Sequence, residues 1–197
     1  MSIPSGRRQV RGTTRGGGPR SESRILDAAY DLLTEEGLAA ATVEAIAARA
    51  GVSKVTIYKW WPNRAAVVTN AFLSRSGHAL PYPNSMTREA VIDSLIHMAD
   101  SFRGPTGKAI RALVAEGQTD PDAARAFQDG YINARRERGR EIVRDAIDEG
   151  LIKPADPDVV LDLLFAPLYF RLIVGHQPLN DDAIRAHVTL ALDGLLA

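Results

Sequence analysis

Between Thr42 and Arg64 the chain reads TVEAIAARAGVSKVTIYKWWPNR, and its most reactive surface chemistry falls inside one short stretch. Lys54, Thr56, Tyr58 and Lys59 bring two ammonium groups and two hydroxyls close together. A lysine ammonium can reach the acceptor edge of a purine, and the methyls of Val55 and Thr56 can touch a thymine methyl. Tyr58 and Lys59 suit phosphate oxygens, which position a protein on a duplex without reading its sequence. This mixture fits the major groove of DNA.

The apolar residues of the same stretch say how it is held. Val43, Ile46 and Ala47 share one face of a short helix capped by Thr42 and ending at Ala50-Gly51, where glycine can take the left-handed conformation of a sharp turn. Ser53 caps a second short helix that runs through Val55, Ile57 and Tyr58 to Trp61, where Pro62 stops it. Val52, Ile57 and Trp61 account for its inner side. Lys54, Val55, Thr56, Tyr58, Lys59 and Trp60 are left projecting wholly or partly outward. One reading stays open: Val55 either packs or meets a base.

A longer helix precedes the pair, from Ser21 as its cap, with Ile25, Ala28, Ala29, Leu32 and Leu33 on one face, to Gly37. Another follows from Asn63, with Val67, Val68, Ala71 and Phe72 inward, fading near Gly77. Two short helices joined at a glycine and flanked in this way make a helix-turn-helix. Residues 80–85, with two prolines, read as a linker. Beyond it the pattern predicts helices over about 86–103, 107–118, 121–149, 157–175 and 181–196, with Asp120-Pro121 and Asp156-Pro157 placing a capping carboxylate before a first-turn proline. No segment sustains period-two alternation, so the expected fold is all-α with about nine helices.

Residues 159–174 are apolar nearly all the way round, so as a helix they must be covered on more than one side. One cover is the helix's own domain, and the simplest second cover is another copy of the chain. Ile184, Val188, Ala191, Leu192 and Leu195 on the last helix offer a further stripe, giving an expected homodimer through about 157–175 and 181–196 in a four-helix arrangement. A central core helix in a monomer is the competing reading. Pro167 should kink the helix.

Net charge is zero, yet it is unevenly spread. Up to Arg64 there are ten basic and six acidic residues, so a basic N-terminal third sits on an acidic body, as expected when one end faces phosphate. Residues 1–18 form a basic, Arg- and Gly-rich arm expected to be disordered. The run RRERGR at Arg135 to Arg140 reads as a solvated helix face. With no cysteine, disulfides and thiolate chemistry are excluded. No secretory signal or stretch of membrane-spanning length is present, which leads to the expectation of a cytoplasmic protein with no membrane partner.

An enzyme is disfavoured. The histidines at 78, 97, 176 and 187 are widely spaced, none has a glutamate three residues before it, and no H-E-x-x-H, phosphate-binding loop or dinucleotide fingerprint occurs. No metal or cofactor is expected. A non-specific architectural DNA binder using the arginine-rich arm is the other alternative, though it has no need of the large near-neutral C-terminal part.

The run A-G-V-S-x-x-T-I-Y-x-x-W-P-N-R at Ala50 to Arg64 resembles the signature of the TetR family of bacterial regulators, and E-G-L-x-x-x-T-V-x-x-I-A at Glu36 to Ala47 resembles the segment before it. The chain departs from the pattern at Trp60-Trp61, where family members usually carry Tyr or His and then Phe. The resemblance implies a three-helix DNA-binding domain over 19–79, with its motif at 42–61, and a helical regulatory and dimerisation domain over 80–197. It also implies a repressor that binds a palindromic operator on double-stranded DNA, is associated with the nucleoid when bound, and is released by a small-molecule effector. Thr42 and Arg64 would hold phosphates, Lys54, Thr56 and Lys59 would meet bases or nearby phosphates, and Tyr58 the backbone, with Val55 and Trp60 as the other outward candidates for DNA contact. His97, Met98, Phe102, Phe127, Tyr131, Phe165 and Tyr169 are candidates for lining the effector pocket, each with core packing as its competing role. Arg171 and His176 either orient an anionic ligand or serve as caps or interface residues.

Overall fold

The computed structural model describes residues 19–76 and 82–195. The expected basic arm at 1–18 and part of the expected linker lie outside the described residues. Among the described residues there is no strand pairing into a sheet, and ten α-helical segments make nine rods.

The first four are α1 (Pro19–Glu35), α2 (Val43–Ala50), α3 (Lys54–Tyr58) and α4 (Arg64–Ser76). Helix α1 begins at Pro19, so Ser21 lies inside its first turn and is not the cap, the rigid φ of proline suiting the helix start. Its apolar face, with Ile25, Ala29, Leu32 and Leu33, packs on α4 and α2. The other caps follow the local chemistry. Thr42 accepts from the amide of Ala45 at 3.1 Å, Ser53 from that of Thr56 at 3.2 Å, and Asn63 from that of Ala66 at 2.8 Å. Gly51 sits at φ 64°, turning α2 into α3. Arg49 clamps α2 to the end of α1 by donating to Glu35 at 3.2 Å and Glu36 at 2.6 Å.

The rest comprises α5 (Arg88–Arg103), α6 (Pro105–Gly117), α7 (Pro121–Phe127), α8 (Ala134–Asp148), α9 (Pro157–Val174) and α10 (Asp181–Leu195). Asp120 and Asp156 cap α7 and α9 as expected, and Asn180 accepts from the amide of Ala183 at 3.0 Å ahead of α10. Helices α7 and α8 are continuous through a π-helical turn, Gln128–Asn133, which adds a residue to the winding. Gly130 in that turn lies under Leu73 of α4, where a Cβ would come within 2.9 Å of the leucine side chain. Phe127 and Tyr131 flank it and stack against Phe72 of α4, with ring centroids 6.3 and 5.1 Å away.

The corner between α5 and α6 is tighter still. A Cβ on Gly107 would stand 1.8 Å from the carbonyl oxygen of Phe102. One continuous core runs from α1 through α4 to α10, so the two ends of the molecule share their packing.

Two sequence-based expectations are corrected here. Ile184, Val188, Ala191 and Leu192 of α10 are buried within the chain, where α10 lies along α5, so their stripe covers the body's own core instead of facing a partner. Arg88 reinforces that contact by pairing with Asp193 at 2.6 Å. The run at 135–140 is not a solvated face either. Arg136 and Arg140 turn inward onto α9, because they sit four apart on α8 opposite Asp158 and Asp162, which sit four apart on α9. Only Glu137 and Arg138 of the run are exposed, while Gly139 lets α8 and α9 approach closely, its missing Cβ 2.8 Å from Leu161.

Helix α9 is two-sided, as its composition requires. Val160, Leu161, Leu164, Phe165, Leu168 and Leu172 are buried, whereas Val159, Leu163, Phe170, Ile173 and Val174 form an exposed apolar stripe on the opposite side. The helix continues through Pro167. Nearby, His187 of α10 hydrogen-bonds the carbonyl of Leu164 at 3.1 Å.

Candidate nucleic-acid interface and effector cavity

The surface of α3 is built from the inside. Ile57 and Trp61 are buried, the second filling the place where the related pattern carries a smaller aromatic ring, and they fix the azimuth of the helix. What remains points out. Val55 is 78% exposed, Tyr58 53% and Trp60 48%, with Lys54 and Lys59 exposed beside them. The alternative in which Val55 merely packs is therefore ruled out within this chain. An isolated exposed apolar residue needs no explanation, but three large ones interleaved with two cations over the seven residues from Lys54 to Trp60 form a patch of distinct chemistry.

Smaller contacts order this patch. Lys54 donates to Glu44 of α2 at 2.8 Å, and that hydrogen bond holds the Glu44 carboxyl below its ordinary range and the ammonium above its own. Lys59 lies over the Trp60 ring, 5.6 Å from its centroid. Thr56 is half-buried, with its hydroxyl 2.9 Å from that of Ser53. Thr42 is also half-buried and occupied as a cap at the start of α2.

Arg64 departs from the expected phosphate role. Its guanidinium donates to the carbonyl of Leu38 at 3.0 Å and pairs with Glu116 at the end of α6. An arginine so engaged ties the first turn of α4 to the C-terminal body, and the reason is the acidic side chain that α6 brings alongside, which the local sequence around Arg64 does not reveal.

In the C-terminal body the expected pocket residues separate into groups. Met98 and Phe102 of α5 are core, and Phe127 belongs to the packing against α4. His97 is exposed on the outer side of α5, away from them, because the helix turns Met98 and Phe102 inward and leaves 97 on the far side. Tyr131, Phe165 and Tyr169 do come together. The Tyr131 and Tyr169 hydroxyls are 2.9 Å apart, and Phe165 and Tyr169 line a cavity of about 160 Å³ between the π turn, α8 and α9.

The other walls were not anticipated. Tyr82 enters from the connecting segment and stacks on Phe165 with centroids 5.1 Å apart, while Ile132, Arg135, Leu161 and Ala166 add further walls. Arg135 lies over the rings of Tyr82 and Tyr131, 4.8 and 5.6 Å from their centroids, and also hydrogen-bonds Tyr169. Arg136 and Asp162 stand at the rim, paired with each other at 2.5 Å. Burial raises the Tyr82, Tyr131 and Tyr169 phenols above their usual range, so all three remain neutral hydroxyls near neutral pH. The one local signal for this site was the paired i, i+4 spacing of Arg136/Arg140 and Asp158/Asp162. Arg171 donates to the carbonyls of Pro178 in the following loop and Ala183 in the first turn of α10, tying the end of α9 to the start of α10, and His176 stacks on Phe170.

Among the described residues no three metal-ligating side chains converge, and no helix is long and apolar enough to cross a membrane.

Comparison with known proteins gives a consistent answer for both ends. Residues 25–71 match the family model described as bacterial regulatory proteins, tetR family, and residues 86–191 match that of the tetracyclin repressor-like C-terminal domain. The uncharacterized HTH-type transcriptional regulator YdeS of Bacillus subtilis (strain 168) is 38% identical over 188 residues, covering 92% of this chain and 94% of that one. Rv1556 of Mycobacterium tuberculosis (strain ATCC 25618 / H37Rv), also named an HTH-type transcriptional regulator, is 30% identical across 85% of this chain and 83% of its own length. The crystal structure of the TetR family transcription regulator SCO0332 superposes with a TM-score of 0.78 at 32% identity, covering 90% of this chain and all of that chain.

Proposed function

Because this chain belongs to the TetR family of DNA-binding transcriptional regulators, we propose that it represses transcription by gripping a palindromic operator as a homodimer and releases it when a small molecule binds the C-terminal body. The observation that carries the DNA half is the outward patch of α3, where Val55, Tyr58 and Trp60 stand exposed with Lys54 and Lys59. In this reading Lys54 exchanges its surface carboxylate for a purine acceptor, and Val55 with the Thr56 methyl reads thymine. Tyr58, Lys59 and Trp60 meet the backbone and neighbouring bases, and the N-terminus of α2 at Thr42 presents free amides to a phosphate. Its action belongs in the bacterial cytoplasm, at the nucleoid.

The dimer half rests on the apolar stripe of α9. Val159, Leu163, Phe170, Ile173 and Val174 fall on one face of the helix and need a cover that the chain itself does not supply among the described residues. A second copy of α9 provides one, with Leu190 of α10, itself exposed, beside it. Two recognition helices then face successive major grooves about one DNA turn apart, the spacing a palindrome requires.

Selection of bound sequences from a random DNA pool tests this directly. A palindrome should be recovered, bound roughly a thousandfold or more tighter than random duplex. Equal affinity for both would identify a non-specific binder instead. Sedimentation should give a dimer, and a monomer at micromolar concentration would remove the α9 interface.

A further inference from the structure

We infer that the cavity between the π turn, α8 and α9 is a receptor for a neutral single-ring aromatic molecule bearing a hydroxyl, a compound of the phenol class, with Tyr169 as its hydrogen-bonding group; this rests on the effector-responsive reading above. The space itself limits the ligand. A cavity of about 160 Å³ holds one six-membered ring and little more, since an apolar cavity of roughly 150 Å³ accommodates benzene. Tyr82 and Phe165 give it aromatic walls and Ile132 and Leu161 aliphatic ones, so a flat apolar body is matched on its faces. Asp162 and Ala166 are the exposed residues of the lining, which puts the mouth beside them on α9.

Charge then excludes the ionised molecules of that size. Every ionised group in the lining already has partners within the chain. Arg136 is paired with Asp158 and Asp162 at 2.6 and 2.5 Å, which engages the Asp162 carboxylate as well. Arg135 is laid across the Tyr82 and Tyr131 rings and hydrogen-bonded to the Tyr169 hydroxyl. An anion or a cation would have to shed its water and then break one of these contacts, whereas a neutral ring disturbs none of them.

The Tyr169 hydroxyl selects within the neutral rings. Burial keeps it protonated, so it has one proton to donate and two lone pairs to accept. Arg135, which can only donate, takes one lone pair. The Tyr131 hydroxyl, 2.9 Å away, takes either the proton or the other lone pair. Among the described residues these are its partners, so one position is left in both arrangements: a lone pair in the first, a proton in the second. A ligand hydroxyl answers either, because it is donor and acceptor at once. A hydrocarbon answers neither. Tyr131 carries its ring edge against Phe72 of α4, 5.1 Å between centroids, so a hydroxyl bound to Tyr169 lies two hydrogen bonds from a ring packed on the helix that follows the DNA-reading unit.

Calorimetric titration of the full chain at neutral pH with phenol, with toluene, which has a methyl in place of the hydroxyl, and with benzoate tests the assignment. Phenol should bind saturably and about two- to tenfold tighter than toluene, the range that one hydrogen bond contributes. It should also bind at least about tenfold tighter than benzoate, whose carboxylate loses its water on entry. Tyr169→Phe should weaken phenol by about fivefold to a hundredfold, leave toluene nearly unchanged, and so make toluene the tighter of the two. No binding of phenol, toluene as tight as phenol, benzoate as tight as phenol, or a preference for phenol that survives in a folded Tyr169→Phe protein would each overturn the inference. If that variant does not fold, the three ligands on the unaltered protein decide alone. The titration needs no DNA, so a protein that selects a palindrome yet ignores phenol sinks this inference and leaves the regulator intact. A protein that binds phenol but no DNA does the reverse.

Discussion

The α3 surface and the α8–α9 contact use the same raw material, cationic side chains beside aromatic rings, to opposite ends. On α3 and the turn after it, Lys54 and Lys59 stand in solvent, held by one surface carboxylate and the face of an exposed indole. Such contacts contribute little and are exchanged easily for phosphate. On α8, Arg136 and Arg140 converge on Asp158, and Arg135 is pinned across two tyrosines. Those groups are spent inside the molecule, joining α8 to α9 and framing a cavity. A basic run is thus a poor marker of nucleic-acid contact by itself; what the opposite element brings alongside decides its use.

If that contrast is right, changes in the body should cost stability and changes on α3 should cost only DNA affinity. Gly107→Ala is the most severe test on the body side. With a Cβ 1.8 Å from the Phe102 carbonyl, the α5–α6 corner must open, and chemical denaturation should show a loss of about 4 kcal/mol or more, or no folded protein. Next come Val55→Ala and Lys59→Ala on α3. Each should weaken operator binding by about 1 to 3 kcal/mol in a mobility-shift titration, with stability unchanged within about 0.5 kcal/mol. A matching fall in melting temperature would mean that these side chains pack, and the contrast would fail.

Arg136→Ala gives a smaller effect. It frees Asp162 and leaves Asp158 to Arg140 alone at a partly exposed site, so about 1 kcal/mol of stability should be lost, with operator affinity retained. The smallest effect is a pH dependence. Hydrogen bonds from Arg140 and then Arg136 hold the Asp158 carboxyl below its ordinary 3.8. A depressed folded-state value means that the contribution is present above the unfolded value and is lost as pH falls through the folded one. Unfolding curves of Asp158→Asn and the parent should therefore differ above about pH 4 and converge in stronger acid. A gap that widens on acidification would contradict the pairing.

What the sequence made legible was local. Thr42, Ser53, Asp120 and Asp156 cap where their side chains can reach amides two or three residues on, and the outward set on α3 follows from helical spacing around Ile57 and Trp61. The two covers required by α9 could also be read, since no single face holds so many apolar residues. What escaped depended on distant partners. Tyr82 stacks on Phe165 across 83 positions, Arg64 meets Glu116 across 52, and the stripe on α10 is claimed by α5 from the other end of the body. Ser21 was misjudged as the cap for a nearer reason, because the helix already includes Pro19 before it. The π turn has no compositional mark at all.

That turn makes length a constrained quantity. Each residue of an α-helix rotates the next by about 100°, so one residue more or fewer re-aims everything downstream. The stretch at 121–148 is two helices held out of phase, one half keyed to α4 through Phe127 and Tyr131 and the other to α9 through Arg136, Gly139 and Arg140. Removing a single residue between Gln128 and Asn133 would restore regular winding and leave both halves fully helical, yet no rotation of the rod would let both seats engage at once. Within that segment the number of residues, more than their identity, joins the two ends of the molecule.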